Sequence, residues 1–446
     1  MTDNRFPKGF FWGTTTAAYQ VEGATKEGGR GESIWDRFCA TPGKISTGES
    51  GDPACDSYNR YLEDIALMRE MGTNAYRFSI AWPRIIPDGD GVVNEKGLDY
   101  YERLVDALLK AGVQPFVTLY HWDLPQALED KGGWAKRANL DAFVRYTDVV
   151  VSRLGDRVKD WMTHNEPWCV SILSNEYGQH APGRHDRKLA LQIAHNLLVS
   201  HGMAVPVIRQ RCQNARVGIA LNQNPYYPAS DSQADQALVR QEHARFNLWF
   251  LDPVAGRGYP QDAWEGYGAD VPTVQPGDMQ TIAAPIDFLG VNYYSRSVVH
   301  DPQGGEGSRV LNVPSLVHQT GRNWEVYPQG MYDLLVGIHS AYNFKNILIT
   351  ENGASYHDVI SPDGKIHDAL RIDYLHKHLT ALLRAIEAGV PLRGYFCWSL
   401  MDNFEWAFGT SIRFGLAYTD FETQKRTLKD SGYWYGKVAR ANILID

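Results

Sequence analysis

The chain has 446 residues, 43% of them hydrophobic and 22% charged, with a formal net charge of -8. These values fit a globular protein with a large core and exclude the basic surface that nucleic acid or an anionic membrane requires. No run approaches 18 uninterrupted apolar residues, so no membrane span is expected.

In chain order, short apolar runs alternate with helical patterns from end to end. Phe10–Thr15 reads as a strand, Tyr58–Met71 as a helix, Asn74–Ile80 as a strand and Leu98–Ala111 as a helix. The strands Gln114–Tyr120 and Asp160–Asn165 follow, with a helix over Leu140–Leu154 between them. Leu189–Arg211, strand Arg216–Leu221 and Ala234–Phe250 continue the series. Phe288–Asn292, Ile347–Glu351 and Gly394–Trp398 complete the strands. Gly330–Tyr342, Ala369–Ala388 and Tyr433–Leu444 complete the helices. Met71-Gly72, Ala111-Gly112 and Ala388-Gly389 supply glycine stops before the next strand. Such alternation implies a parallel sheet, and eight units close into an α/β (β/α)8 barrel with its site at the carboxyl ends of the strands. With no linker or composition shift, residues 1–446 read as a single domain. Residues 41–54, 226–233, 256–285 and 301–324 read as long irregular loops on the mouth side, where loops tend to carry function.

The first residues, through Phe10, lack a charged-then-apolar leader, so no cleaved signal peptide is expected. Cys39, Cys55, Cys169, Cys212 and Cys397 are scattered and odd in number, which suits free thiols in a reducing cytoplasm. Gly28-Gly29-Arg30-Gly31 follows no strand and reads as a loop. With no C-x-x-C, H-E-x-x-H or phosphate-loop spacing, neither metal nor cofactor is expected.

Two stretches, Thr163-His164-Asn165-Glu166-Pro167 and Ile349-Thr350-Glu351-Asn352-Gly353, each end an apolar run in a glutamate. Singly, each reads more readily as a strand-end Glu in a surface ion pair, the commoner fate of a lone Glu. Opposed across a closed ring they form the carboxyl pair that glycoside hydrolysis needs. The other strand ends are also polar or aromatic: Tyr19-Gln20, Arg77, His121-Trp122-Asp123, Asn292-Tyr293-Tyr294, and Trp398 followed by Asn403-Phe404-Glu405-Trp406. Aromatic residues make up 12% of the chain. Trp12, Trp122, Trp168, Trp324, Trp398 and Trp406 lie beside polar or turn residues, where stacking on a sugar face or simple packing are both open readings.

On these motifs, and on Phe10-Phe11-Trp12-Gly13, Ala18-Tyr19-Gln20-Val21-Glu22-Gly23 and Arg413-Phe414-Gly415-Leu416, the chain resembles glycoside hydrolase family 1 over its whole length. That family comprises β-glucosidases and 6-phospho-β-glycosidases. The resemblance implies a (β/α)8 barrel and a retaining double displacement on a small-molecule glycoside. Glu166 matches the acid/base and Glu351 the nucleophile, with carboxyl groups about 5–5.5 Å apart as in retaining enzymes. Arg77 and Tyr294 match the groups supporting the nucleophile, and Asn165 the residue holding the sugar 2-hydroxyl. Gln20, His121, Glu405 and Trp406 resemble the residues binding the other hydroxyls. Trp398 resembles the platform beneath the ring, and Asn292 a pocket liner. Trp324 resembles the leaving-group wall. Phe414 and Trp122 fit pocket wall or core alike. Trp168, Cys169, Leu173 and His180 stand where they can line the entrance.

Glu405 follows the non-phosphorylated pattern, since phosphoglycosidases of the family place a serine there. The expectation is a cytoplasmic β-glucosidase acting on cellobiose-type oligosaccharides or aryl and alkyl glucosides, with side activity on β-galactosides and β-fucosides. Gly409-Thr410 and Thr14-Thr15-Thr16 depart from the family pattern without touching the proposed chemistry.

Overall fold

A strand whose side chains alternate between two apolar surroundings must be covered on both faces, and a closed parallel barrel does this. The computed structural model describes residues 4–302, 309–311 and 320–445. In it the chain forms eight parallel strands: Phe11–Thr15, Ala75–Ser79, Gln114–Tyr120, Asp160–Asn165, Arg216–Asn222, Phe288–Asn292, Ile347–Asn352 and Leu392–Trp398. Each pairs with its neighbours in chain order. The first pairs with the eighth, Phe11 opposite Gly394 and Thr15 opposite Trp398, and this closes the ring. All eight expected strands are present; the last starts two residues earlier than expected, at Leu392.

Inside the ring, Ala75, Phe116, Met162, Ala220, Phe288, Leu348 and Phe396 form an apolar floor with Phe11 packed on it. Phe116 meets Phe11 and Phe396 at ring separations of 4.9 and 4.8 Å, nearly edge to face. These rings fit because their neighbours are small. A methyl group on Gly13 would lie 2.2 Å from Phe396 Cδ1.

The helices form the outer layer, over a second apolar cluster. Gly72 ends the helix Ser57–Met71 at φ 75°, its N–H donating to the Met68 carbonyl, a left-handed stop that glycine adopts without a Cβ clash. The helix Arg187–Arg211 starts on Asp186, whose side chain accepts from the Leu189 N–H. Its apolar stretch is long enough to cross a bilayer, but 78% of that stretch is buried in the fold. It is a core helix.

Alternation would put every second side chain inside, and in two strands it slips. Thr163 and His164 are consecutive, yet both reach the helix Arg187–Arg211, Thr163 at His201 and His164 at Ser200. Asn165 then turns inward. The fourth strand's pairing shifts between Met162 and Asn165, and the seventh's between Ile349 and Glu351. In the seventh, Thr350 and Glu351 both face the lumen side, on Asn292 and Arg77. Irregularities of this kind re-aim side chains near sites.

One open reading closes and two expectations are corrected. Trp12 is not a sugar platform: it packs on Phe6, Phe10 and Tyr435, and its indole N–H donates to Asn442. Residues 256–285 are not irregular throughout, because Gln261–Tyr267 and Asp278–Ile282 are helical. They dock through Trp249, Tyr259 and Trp264 and through Asp278, which pairs with Arg137 and His195. Residues 226–233 open with a strand, Tyr226–Pro228, parallel to Ser297–His300. The helix expected over 234–250 is present, and it widens into a π-type turn at Ala244–Leu248 before continuing to Val254. Residues 303–308 and 312–319 of the expected 301–324 loop lie outside the described residues.

Gly13→Ala should destabilise the protein by about 1–3 kcal/mol, the usual cost of overpacking. A urea unfolding midpoint equal to that of the parent would show that Phe396 yields freely.

Candidate active site

Above the floor, the next inward positions are polar. Arg77 follows Ala75 by two residues and is 1% exposed. Its Nη1 donates to Glu351 Oε1 at 2.6 Å and to the Thr350 carbonyl at 3.1 Å. Its Nη2 donates to Asn165 Oδ1 at 2.5 Å and its Nε to Thr118 at 3.2 Å. The Tyr294 hydroxyl donates to Glu351 Oε2 at 2.7 Å. Both oxygens of Glu351 therefore accept from fixed donors, one of them cationic, the setting of a carboxylate anion.

Glu166 is held otherwise. Asn292 Nδ2 donates to its Oε1 at 2.8 Å and the Cys169 thiol to its Oε2 at 3.1 Å. Burial, and then the Glu351 charge, raise its pKa to about 7, against the lowering effects of Asn292, Cys169 and Arg77. One carboxyl thus keeps a proton near neutrality while its neighbour across the cavity is paired to a guanidinium. Asn292 joins the halves, since its Nδ2 also bonds Asn165 and its Oδ1 accepts from Thr350.

Asn165 Nδ2 donates to His121 Nε2 at 3.1 Å, which puts the imidazole proton on Nδ1. Burial, then the Arg77 charge, push the His121 pKa well down, so the ring is neutral. His121 Nδ1 and Gln20 Oε1 are buried without a partner among the described residues. They supply a donor and an acceptor, as a hydroxyl-rich ligand requires. Gln20 is fixed through its amide nitrogen on Asn403 and the Phe404 carbonyl.

A cavity of about 1050 Å³ opens over these groups. Its inner wall holds His121, Trp122, Trp398, Glu405 and Trp406, with Trp122 and Trp406 at 4.6 Å. Trp122 N–H donates to the Asn165 carbonyl, which settles it as wall rather than outer core. The lining also includes Trp168, Leu173, Tyr294, Trp324 and Phe414. His180 packs on Trp35, Trp122 and Trp406, nearer the inner wall than expected. Gln20, Arg77 and Asn165 lie behind the lining. Trp122, Glu166 and Trp406 adopt φ of 80°, 47° and 50°. For side chains of this size such backbone costs about 1–3 kcal/mol each and concentrates at functional sites.

Several site residues escaped the sequence. Cys169 lines the cavity as read, but the bond of its thiol to Glu166 was not foreseen. Asn222 ends the fifth strand one residue beyond its expected limit and faces the same cavity. Phe246 stacks on Trp168 at 4.5 Å. Arg322 pairs with Glu405 at 2.9 Å; it has no periodic pattern around it, and only its place two residues before Trp324 hints at the site.

An eight-stranded parallel barrel with two differently held carboxyls and an aromatic, hydroxyl-complementary cavity is the architecture of a carbohydrate-active enzyme. The glycosyl hydrolase family 1 model matches residues 2–443, and the chain belongs to that family. It is 48% identical to β-glucosidase A of Thermotoga maritima, each chain covered in full. It is 44% identical to a bifunctional β-D-glucosidase/β-D-fucosidase of Bifidobacterium breve, over 96% of this chain and 97% of that one. The solved β-glucosidase from Thermotoga maritima in complex with glucoimidazole superposes with a TM-score of 0.96 at 48% identity, covering 99% of this chain and 100% of that one.

Removing the thiol in Cys169→Ala deletes a bond that favours the Glu166 anion, so its pKa should rise. The alkaline limb of kcat/KM should move upward from about 7 by a fraction of a unit. A limb that stays put or moves down would show that the thiol does not act on Glu166.

Proposed function

We propose that this protein is a retaining β-glucosidase that releases terminal, non-reducing β-D-glucosyl residues from cellobiose-type oligosaccharides and aryl or alkyl glucosides. The observation that carries this reading is the unequal setting of the two carboxyls in one cavity, with Glu351 on Arg77 and Tyr294 and Glu166 keeping its proton to about pH 7. Glu351 attacks the anomeric carbon while Glu166 gives its proton to the glycosidic oxygen. The carbon–oxygen bond breaks and the neutral alcohol departs, leaving a glycosyl ester on Glu351. Glu166, now anionic, takes a proton from water as that water's oxygen attacks the same carbon, and the Glu351 carboxylate leaves. Two inversions return the original configuration.

The burial that raises the Tyr294 phenol far above its ordinary range keeps it a donor to Glu351 throughout. Asn165 has one amide hydrogen beyond its bond to His121, which suits the sugar 2-hydroxyl. Gln20, His121, Glu405 and Trp406 would hold the remaining hydroxyls over Trp398, with Trp324 against the leaving group. The buried Glu405 carboxyl favours a free 6-hydroxyl over a phosphate dianion. The Bifidobacterium breve relative's second activity supports turnover of β-fucosides as well, and β-galactosides are included in the proposal. Five free cysteines support a reducing compartment, the cytoplasm.

In Glu351→Gly, turnover of p-nitrophenyl β-D-glucoside should vanish and return in part with azide, giving the α-glucosyl azide. Parent-like hydrolysis in that variant would remove Glu351 from the nucleophile role. Glu166→Ala should slow alkyl glucosides by about 10²–10⁴-fold, the usual worth of a general acid, and activated aryl glucosides far less. Equal slowing of both would argue against the acid role.

A further inference from the structure

The lip of the cavity carries positive charge that the proposed hydrolysis does not use. Arg322 gives Nη1 to Glu405 Oε1 at 2.9 Å, and this is its one side-chain hydrogen bond among the described residues. Its guanidinium lies over the rings of Trp324 and Phe408 at 4.5 and 4.4 Å. It is partly open to the cavity, its side chain 22% exposed. A guanidinium has five N–H donors in a planar fork, and among the described residues one of them is spent.

Lys44 stands in the same lip, over the Phe38 ring, with no ion pair among the described residues. Its loop is tied to the Glu405–Phe408 turn, because Ser46 N–H donates to the Ala407 carbonyl. Glu49, on the same loop, accepts from the Thr410 N–H and hydroxyl. The Arg322 side chain and the loop that carries Lys44 are therefore both bonded to one turn. The other cations of the cavity wall are committed: Arg296 forks onto Glu325, Arg187 pairs with Asp270 and Arg245 with Glu242. The Arg322 charge also adds to burial in pushing the His180 imidazole pKa down.

We propose that Arg322, assisted by Lys44, binds a carboxylate that the substrate carries beyond its glucosyl hydroxyls, so that the enzyme selects acidic glycosides over neutral ones. This rests on the glycosidase reading above and adds the chemical class of the preferred substrate. A carboxylate fits better than a phosphate. It is a monoanion matched to the planar fork, whereas a dianion beside Glu405 meets the full repulsion of that carboxylate. The carboxylate can sit on an aromatic leaving group against Trp324 or on an acyl arm at the sugar 6-oxygen, next to Glu405.

The test compares kcat/KM for two matched pairs: 4-carboxyphenyl β-D-glucoside with its methyl ester, and a p-nitrophenyl 6-O-malonyl-β-D-glucoside with its methyl ester. Intrinsic leaving-group reactivity cancels when the acid-to-ester ratio is compared between enzymes. In Arg322→Met the ratio should fall about tenfold in one pair, the loss expected for a partly buried charge-assisted contact. That pair identifies where the carboxylate sits. Arg322→Lys should keep most of the preference, and Lys44→Met should lose about two- to threefold of it, as suits a partly exposed charge. In the parent enzyme the preference should shrink as sodium chloride is raised. Ratios unchanged in both pairs, or an equal loss on acid and ester, would overturn the inference and leave Arg322 as a clamp on Glu405. Absence of turnover of unsubstituted p-nitrophenyl β-D-glucoside would instead remove the glycosidase reading.

Discussion

The buried guanidinium of Arg77 is the contact on which the site depends. Its donors reach the second, third, fourth and seventh strands through its own backbone, Thr118, Asn165 and the Thr350–Glu351 pair. A cation taken out of water must be paired, or its desolvation unravels the surroundings. Here one carboxylate, two amide or carbonyl oxygens and one hydroxyl accept from it. The Glu351 carboxylate gains fixed geometry, and the fourth strand is held at the residue just before Glu166. Two carboxyl groups far apart in sequence are thus set by one side chain. The difference between them follows, because Glu351 receives the cation while Glu166 receives only an amide and a thiol.

The eight strands were legible because buried parallel strands read as unbroken apolar runs, and because glycine marks several helix ends. Glu166, Glu351, Arg77, Tyr294, Asn292 and His121 were legible as strand-end polar groups, which in a closed barrel have one direction to face. The short helices at Gln261–Tyr267 and Asp278–Ile282 were not, since fewer than two turns give no usable periodicity. Trp12 stayed open because an aromatic next to a turn looks the same at either end of a barrel, and only the strand direction tells mouth from floor.

Contacts that depend on distant segments were hidden altogether. Nothing near Arg322 indicates Glu405, and the link appears only when the loop before Trp324 folds over the turn after the eighth strand. Cys169 was within reach of inference: a residue three positions after Glu166 comes beneath its side chain if the chain turns helically there. The helical turn begins at once, with the Cys169 N–H on the Glu166 carbonyl.

The misregister in the fourth and seventh strands bears on any attempt to idealise this barrel. Straightening either ladder would leave amino-acid content, apolar total and strand propensity untouched. Yet the parity of every later side chain would invert, sending a reactive acid into the helical jacket and a packing residue into the lumen. Chemistry here is written in one-residue offsets, and a more regular scaffold would be an inert one.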